Sequence, residues 1–419
     1  MGVLWKIALR NVLRHGKRTA ITGIVMMVGI GLFIAYDSIL AGMDRISIDT
    51  MIDYSSSYLK VRTPGYVADA MGLPLDKGIA DPEAVMAAIL KADPGVSAVA
   101  PRTLFLVQAS NYIDSSPQMA AAVDPLRDRE VFKVASDVHE GSWLRPTADR
   151  EAVVAMSVAR DLGLKLGDSI LLSARTIYDN DNADEFLIVG LIDNTAGLSG
   201  TGSIYLSYPA ARALLGEGLP VTEIDAAAPR AASLDAELAG SAKAASLLAA
   251  ALPALTSQPI GEFAKDYLAL RESKSKGSFM LIVMILLIAA VGIVNTILMS
   301  VYSRVREIGV LRAYGMTAAD VKKLFVREGL ITGAAGSAAG LVLGGLLVWY
   351  MASAGLSISG LFGNLDLGAI PVNAVLRGEW KPGSFVTGFA FGLLVSWLAA
   401  RIPAKRAARM QPTDALRFV

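Results

Sequence analysis

The chain has 419 residues, 53% of them hydrophobic and only 18% charged, with no cysteine, two histidines and a formal net charge of +1. A mean hydropathy of +0.49 excludes a soluble globular protein of ordinary composition. The missing cysteines exclude a disulfide framework, an iron–sulfur cluster and a thiolate zinc site, and His15 and His139 lie too far apart in sequence to suggest a histidine metal centre.

At the start, Leu4, Trp5, Ala8, Leu9, Val12 and Leu13 fall on one helical face, and Lys6, Arg10, Arg14, Lys17 and Arg18 on the other. That pattern suits either a helix lying in the inner headgroup region or a basic topology signal with no defined pose. An apolar run follows from Ala20 to Leu40. Its length, and an end at Asp37-Ser38-Ile39-Leu40-Ala41-Gly42 without a small-x-small cleavage site, predict an uncleaved signal anchor rather than a signal peptide. Three more runs, Ser278 to Tyr302, Leu330 to Ala354 and Gly383 to Ile402, each approach the ~20 residues a bilayer demands.

Net charge becomes informative once it is divided at these runs. The polar stretches 1–18, 303–329 and 401–419 carry roughly sixteen basic against four acidic residues, whereas Met43 to Gly277 carries roughly thirty-one acidic and twenty-one basic. Both termini are therefore expected in the cytoplasm and the long insert outside.

The insert reads as mixed α and β. Asp81-Pro82-Glu83 starts a helix with an N-cap and a proline at its first position, and Asp93-Pro94-Gly95 stops it. Strand-like runs follow at Val96 to Ala100, Leu104 to Gln108, Ala152 to Met156, Ser169 to Ala174, Phe186 to Ile192 and Ile204 to Ser207. Their parallel or antiparallel pairing stays open. The Ala-rich stretch Pro229 to Leu252 reads as a helix partly facing solvent, since Arg230, Asp235, Glu237 and Lys243 interrupt it. His139 has Asp137 and Glu140 nearby but no nucleophile motif, as expected of a surface residue.

Inside the apolar cores Asp37 is the only acidic residue, which disfavours an ion-coupled carrier or proton relay. Asn295, mid-span, is placed to bond to a neighbouring helix. Small residues recur at Gly329, Gly333, Gly336, Gly340 and Gly344, and again at Gly388, Gly392 and Ser396, predicting close helix packing within the chain or against a second protein. Met26, Met27, Phe33 and Tyr36 form a possible substrate groove for acyl chains or an ordinary lipid contact. No G-x-x-x-x-G-K-[ST] occurs, so the chain does not bring its own P-loop for nucleotide, and the energy for any work it does comes from elsewhere.

Between the second and third runs lies SRVREIGVLRAYGM, Ser303 to Met316, then a restart at Thr317-Ala318-Ala319-Asp320. Ile308, Leu311 and Ala313 supply apolar surface, Arg306, Glu307 and Arg312 supply charge, and Gly315 suits a left-handed helix end. Such a mixture fits docking into a protein groove; the alternative is a basic loop that only enforces topology.

Arg306-Glu307-Ile308-Gly309, Leu311-Arg312-Ala313 and Gly315, with Glu328 opening a Gly-rich run, resemble the FtsX-like, MacB-type permeases of ATP-binding-cassette (ABC) systems. ALRNVLRHGKRT (Ala8 to Thr19) is similar to that family's opening signature and RIPAKRAARMQPTDAL (Arg401 to Leu416) to its closing one. LGLKLGDSI (Leu162 to Ile170) and FLIVGLI (Phe186 to Ile192) resemble its periplasmic core. The resemblance implies a membrane α-helical fold with four transmembrane helices and a large extracytoplasmic α+β domain inserted between helices 1 and 2. Its parts would be 1–42 (amphipathic helix and first span), 43–276 (MacB-like periplasmic core domain) and 277–419 (FtsX-like permease domain with its coupling loop).

It further implies a bacterial inner-membrane permease subunit that is not itself an enzyme and binds no cofactor directly. ATP and Mg would be held by two copies of a partner ATPase. A second permease subunit, identical or paralogous, would complete the pair, and no nucleic acid is involved. ATPase coupling falls to Arg306, Glu307, Ile308, Gly309, Leu311, Arg312, Ala313, Tyr314 and Gly315, and motion is passed to the outer domain without substrate crossing the spans. The layout is closest to the LolC/LolE-type subunits of lipoprotein-releasing systems, implying a lipoprotein substrate and a periplasmic carrier. A MacB-like exporter with an adaptor and outer-membrane channel, or an FtsX-like regulator of cell-wall hydrolases, are the alternatives.

Overall fold

The computed structural model describes residues 3–14, 16–192, 203–357 and 375–409, so His15 and residues 410–416 of the closing signature lie outside the described residues. Two compact units emerge. One comprises Met1–Asp44, Leu270–Leu367 and Val372–Val419, the other Arg45–Ala269 with Gly368–Pro371. Among the described residues, helices of seven residues or more are α1 (Val3–Arg14), α2 (Gly16–Met51), α3 (Pro82–Ala92), α4 (Pro125–Val131), α5 (Tyr208–Leu215), α6 (Leu234–Ala251), α7 (Lys265–Ser303), α8 (Val305–Ala313), α9 (Ala318–Ser353) and α10 (Pro382–Ala408).

In the helical unit α2, α7, α9 and α10 are long and apolar enough to cross a membrane. They contain the four apolar runs. Ile30, Ile34, Ile282, Leu286, Ile293, Ile297 and Phe325 form its buried centre. Glycine faces bring the helices this close. A Cβ at Gly336 would lie 3.0 Å from Met26 Cβ, one at Gly344 2.8 Å from Ile34 Cβ, and one at Gly388 3.2 Å from Ile30 Cγ2. The small-residue stripes of α9 and α10 therefore join α2, α9 and α10 within one chain.

The second unit is an α+β domain built on a ten-stranded sheet. Its strands are β1 (Leu59–Arg62), β2 (Ala98–Ser110), β3 (Ser115–Val123), β4 (Val138–Gly141), β5 (Glu151–Ala155), β6 (Ser169–Arg175), β7 (Asp181–Ile192), β8 (Ile204–Ser207), β9 (Glu223–Ala227) and β10 (Thr256–Pro259). The order is β10-β1-β9-β2-β3-β8-β5-β7-β4, with β6 pairing β2 and β7. Pairs β3/β8 and β5/β7 are parallel and the remainder antiparallel. The two runs predicted at Val96 and Leu104 are one continuous strand, β2, which pairs with β9 through its first half and with β3 along most of its length.

Helix α3 begins as its sequence requires: Asp81 accepts the Ala84 amide at 3.1 Å, with Pro82 at the first position. Helix α6 differs in two respects: it starts at Leu234, where Ser233 accepts the Ala236 amide, rather than at Pro229, and one of its charges is buried. Glu237 is buried rather than solvent-facing, because its carboxylate accepts the Ala231 amide at 2.6 Å and lies within 3.8 Å of Arg45 and 3.6 Å of Arg230.

Strands β1 and β9 alternate strictly. Leu59, Val61, Ile224 and Ala226 face a core shared with Ile89 of α3 and Leu248 of α6, and Lys60, Arg62, Glu223 and Asp225 face the other way. Register places Lys60 opposite Asp225 and Arg62 opposite Glu223. Lys60 Nζ lies 2.7 Å from Glu223 and 3.0 Å from Asp225, and all four side chains are buried. Burial raises the Glu223 carboxyl, but Lys60 and Arg62 more than reverse this and hold it below its usual range. For Asp225 burial dominates, and despite Lys60 it stays above its usual range. On β2, Arg102 meets Asp128 of α4 through two bonds of 2.6 and 3.1 Å, stacked 3.3 Å from the Phe132 ring centroid.

Candidate functional site

Helix α7 breaks at Arg304 (φ −126°, ψ 19°), and the chain turns into the short helix α8. Gly315 takes a left-handed φ of +96° beyond its end. Thr317 then caps α9, accepting the Asp320 amide at 3.2 Å while its hydroxyl donates to the Asp320 carboxylate at 2.6 Å. A nine-residue helix is thus suspended between two spanning helices.

Charge pairs brace it from inside the helical unit. Arg304 donates to Glu307 at 2.8 Å and to Glu328 of α9 at 3.0 Å, and Asn11 of α1 donates to the same Glu328 oxygen at 2.7 Å. Arg14 lies 4.0 Å from Glu307. At the far end Arg312 donates to the Ala408 carbonyl of α10 at 3.4 Å. Arg304 and Glu328 are both buried, so the pair is costly to break from one side, and it fixes where α8 sits. Beside Glu328 is a small cavity of ≈ 30 Å³ lined by Thr19, Thr296, Ile297, Ser300 and Thr332.

The surface left open differs from the one expected. Ile308, 3% exposed, packs into the bundle centre, and Gly309 is buried with it. Leu311 and Arg312 are half-buried, whereas Arg306, Glu307, Ala313, Tyr314 and Gly315 are exposed. Val310, 39% exposed, joins Tyr314 at 88%. The helical spacing of Arg306, Val310 and Tyr314 was the available signal for this face; sequence inspection passed over Val310, and over Arg304 and Asn11 behind it. The open strip offers a cation, an aliphatic patch and an aromatic ring, which is a protein-docking composition rather than a catalytic one.

The acyl groove is not formed. Met26 is fully buried and Phe33 lies in the same core, whereas Tyr36 is 40% exposed and Met27 half-buried. Seven residues is close to two turns, so Met26 and Phe33 share the inner face of α2, while Met27 and Tyr36 are rotated about 100° and 80° to opposite sides. Asn295 is also displaced from its expected role: it faces outward, and near its level a bond between α2 and α7 is made by Thr22 and Thr296 at 2.6 Å. Asp37 is held by Lys381 at 3.1 Å and by the Ser384 hydroxyl. His139 is exposed.

Gly340 offers a direct check on the packing. A Cβ there would lie 2.8 Å from Ile30 Cβ and 3.2 Å from the Met27 carbonyl oxygen, neither of which is a flexible side-chain end. Gly340→Leu is expected to destabilise the helical unit by about 1–3 kcal/mol and to lower the yield of monodisperse protein in size-exclusion chromatography. A wild-type yield and thermal midpoint would contradict this.

Comparison with known proteins divides the chain in two. The FtsX-like permease C-terminal family matches residues 279–412, and the MacB-like periplasmic core domain family matches residues 19–250. An uncharacterized ABC transporter permease of Methanocaldococcus jannaschii is 26% identical over 303 residues, 70% of this chain and 69% of that one. The lipoprotein-releasing system transmembrane protein LolC of Neisseria meningitidis serogroup B is 29% identical over 185 residues, covering 40% of this chain and 43% of its own. The macrolide export ATP-binding/permease protein MacB of Hyphomonas neptunium is 34% identical over 131 residues, covering 31% of this chain and 17% of its own. Matching therefore spans less than half of the LolC and MacB relatives. Among solved structures, the periplasmic region of MacB from Actinobacillus actinomycetemcomitans aligns with a TM-score of 0.34 at 10% identity, covering 50% of this chain and 91% of that one.

Proposed function

This chain belongs to the ABC transporter permeases that carry a MacB-like periplasmic core domain and an FtsX-like C-terminal domain, and from that premise we propose that it transmits ATP-driven movement across an inner membrane to release lipoproteins. The observation that carries this reading is α8. It is short, anchored through the buried Arg304–Glu328 pair to the spanning helices, and open along Arg306, Val310 and Tyr314 to a docking partner. That partner is a separate ATPase in two copies, which holds the ATP and Mg.

Two further features support the proposal. The one carboxylate within the apolar runs, Asp37, is tied to Lys381 and Ser384, which disfavours an ion-coupled path through the described residues. Helix α7 exposes Leu287, Ile288 and Val291 together with the Asn295 amide, a face suited to a second permease subunit, identical or paralogous. The basic excess of the short polar stretches supports an orientation with both termini in the cytoplasm and the α+β domain in the periplasm. Lipoprotein release is preferred because the match to LolC extends over more of this chain than the match to MacB.

Affinity purification of the full chain from its native membrane, with mass spectrometry of what accompanies it, is the test. A P-loop ATPase with a lipid-binding soluble carrier is expected. An adaptor with an outer-membrane channel would replace lipoprotein release by export, and an activator of cell-wall hydrolases would replace it by regulation. Recovery without any ATPase would overturn the proposal as a whole.

A further inference from the structure

Where α9 enters its apolar run, a groove of ≈ 440 Å³ opens between α1, α9 and α10. Trp5 of α1 and Trp397 of α10 line it, and Val326 and Leu330 supply its apolar surface. Each indole carries a guanidinium: the Arg327 guanidinium carbon is 5.3 Å from the Trp5 ring centroid, and that of Arg401 is 4.1 Å from the Trp397 centroid. Lys322 and Lys323 add two more cations to the lining. Asp320 lies 3.7 Å from Lys323. Among the described residues no carboxylate stands within ion-pair distance of Lys322, Arg327 or Arg401.

Four cations around one groove, three of them with no carboxylate at ion-pair distance among the described residues, repel one another and favour an anion between them. Cation–π contact with the indoles positions the two guanidinium groups without using their N–H donors, which suits them to a phosphate. The apolar surface continues from Val326 and Leu330 into the run of α9 that is apolar enough to cross a bilayer. A free phosphate has no use for that surface, whereas a phospholipid does. Tryptophan beside cations at the end of a spanning helix is the chemistry of the membrane interface.

We propose that this groove binds the phosphate headgroup of an anionic phospholipid, with the lipid's glycerol end over Val326 and Leu330. The lipid would join α1, α9 and α10, which are also the helices that brace α8 through Asn11, Glu328 and Ala408. Its assignment to the cytoplasmic leaflet rests on the topology given under Proposed function; its existence does not.

The test is native mass spectrometry of the purified full chain in detergent, titrated separately with phosphatidylglycerol and phosphatidylcholine. Phosphatidylglycerol is expected to bind about tenfold more tightly, and Arg327→Gln/Arg401→Gln to lose that preference. Lys322→Gln/Lys323→Gln alters only partly or fully exposed side chains and is expected to weaken phosphatidylglycerol severalfold, so the proposal stays testable should the arginine variant misfold. Equal retention of the two lipids, or undiminished phosphatidylglycerol binding in both variants, would overturn it. Displacement by millimolar inorganic phosphate would do so too, assigning the groove to a free anion. Loss of a co-purifying protein from the lysine variant with lipid binding intact would assign the cations to an acidic protein surface instead. Because the readout needs no ATPase, a chain that retains phosphatidylglycerol but recruits no ATPase would sink the functional proposal and leave this site standing.

Discussion

Glu307→Lys is expected to abolish the stimulation of ATP hydrolysis that a bound permease imposes on its ATPase, by tenfold or more, equivalent to about 1.4 kcal/mol of coupling. Glu307 is exposed on α8 yet linked inward, 2.8 Å from Arg304 and 4.0 Å from Arg14. A lysine there sets a third cation against those two arginines and beside Arg306, both releasing the brace and reversing the charge of the docking strip. Membrane insertion depends on the spanning helices and should be unchanged. Glu307→Gln, which removes the charge without reversing it, should fall between variant and wild type. The measurement is ATPase activity of the reconstituted complex, with the amount of inserted permease as the control. Wild-type stimulation in Glu307→Lys would show that α8 does not carry coupling through this residue.

Arg102→Met should destabilise the α+β domain by about 3–5 kcal/mol, the usual consequence of leaving one partner of a buried ion pair alone. Arg102 and Asp128 are both fully buried and joined by two hydrogen bonds, and the guanidinium also lies against Phe132 and 5.9 Å from the Tyr205 ring. Removal of the arginine strands the Asp128 carboxylate in that apolar setting. Arg102→Met/Asp128→Leu removes both charges and should recover most of the loss, since a well-packed apolar pair can replace a buried ionic one at little cost. Hydrogen exchange of the β2 and α4 amides in the full chain reads the effect. Equal exchange in the single and double variants would mean that the stranded charge is not the source of the instability.

The same buried charges explain where sequence inspection went blind. Short runs rich in Val, Ile and Leu located the later strands β5 to β8. Strands β1 and β9 are only four and five residues long, and Lys60, Arg62, Glu223 and Asp225, buried on the face opposite Leu59, Val61, Ile224 and Ala226, read as solvent-facing loop residues. Strand β3 was hidden differently, its buried end being Ala120 to Val123, where alanine favours neither pattern. On α8 the loop was found from its composition, but its inner and outer faces were confused, because a nine-residue helix with both Ile308 and Val310 leaves the choice of face to its neighbours.

Chain-wide patterning was sufficient for four spanning helices, an α+β insert after the first of them, and a glycine-lined bundle. Each follows from a run of similar residues whose burial or exposure does not depend on any one partner. Three-dimensional packing alone assigned Met26 and Phe33 to the bundle core, turned Asn295 outward, and brought Asn11, Arg304 and Glu328 into one buried cluster from positions more than three hundred residues apart at the extremes. A charged side chain can be buried only where an opposite charge meets it, and that meeting is a property of the folded chain rather than of any segment.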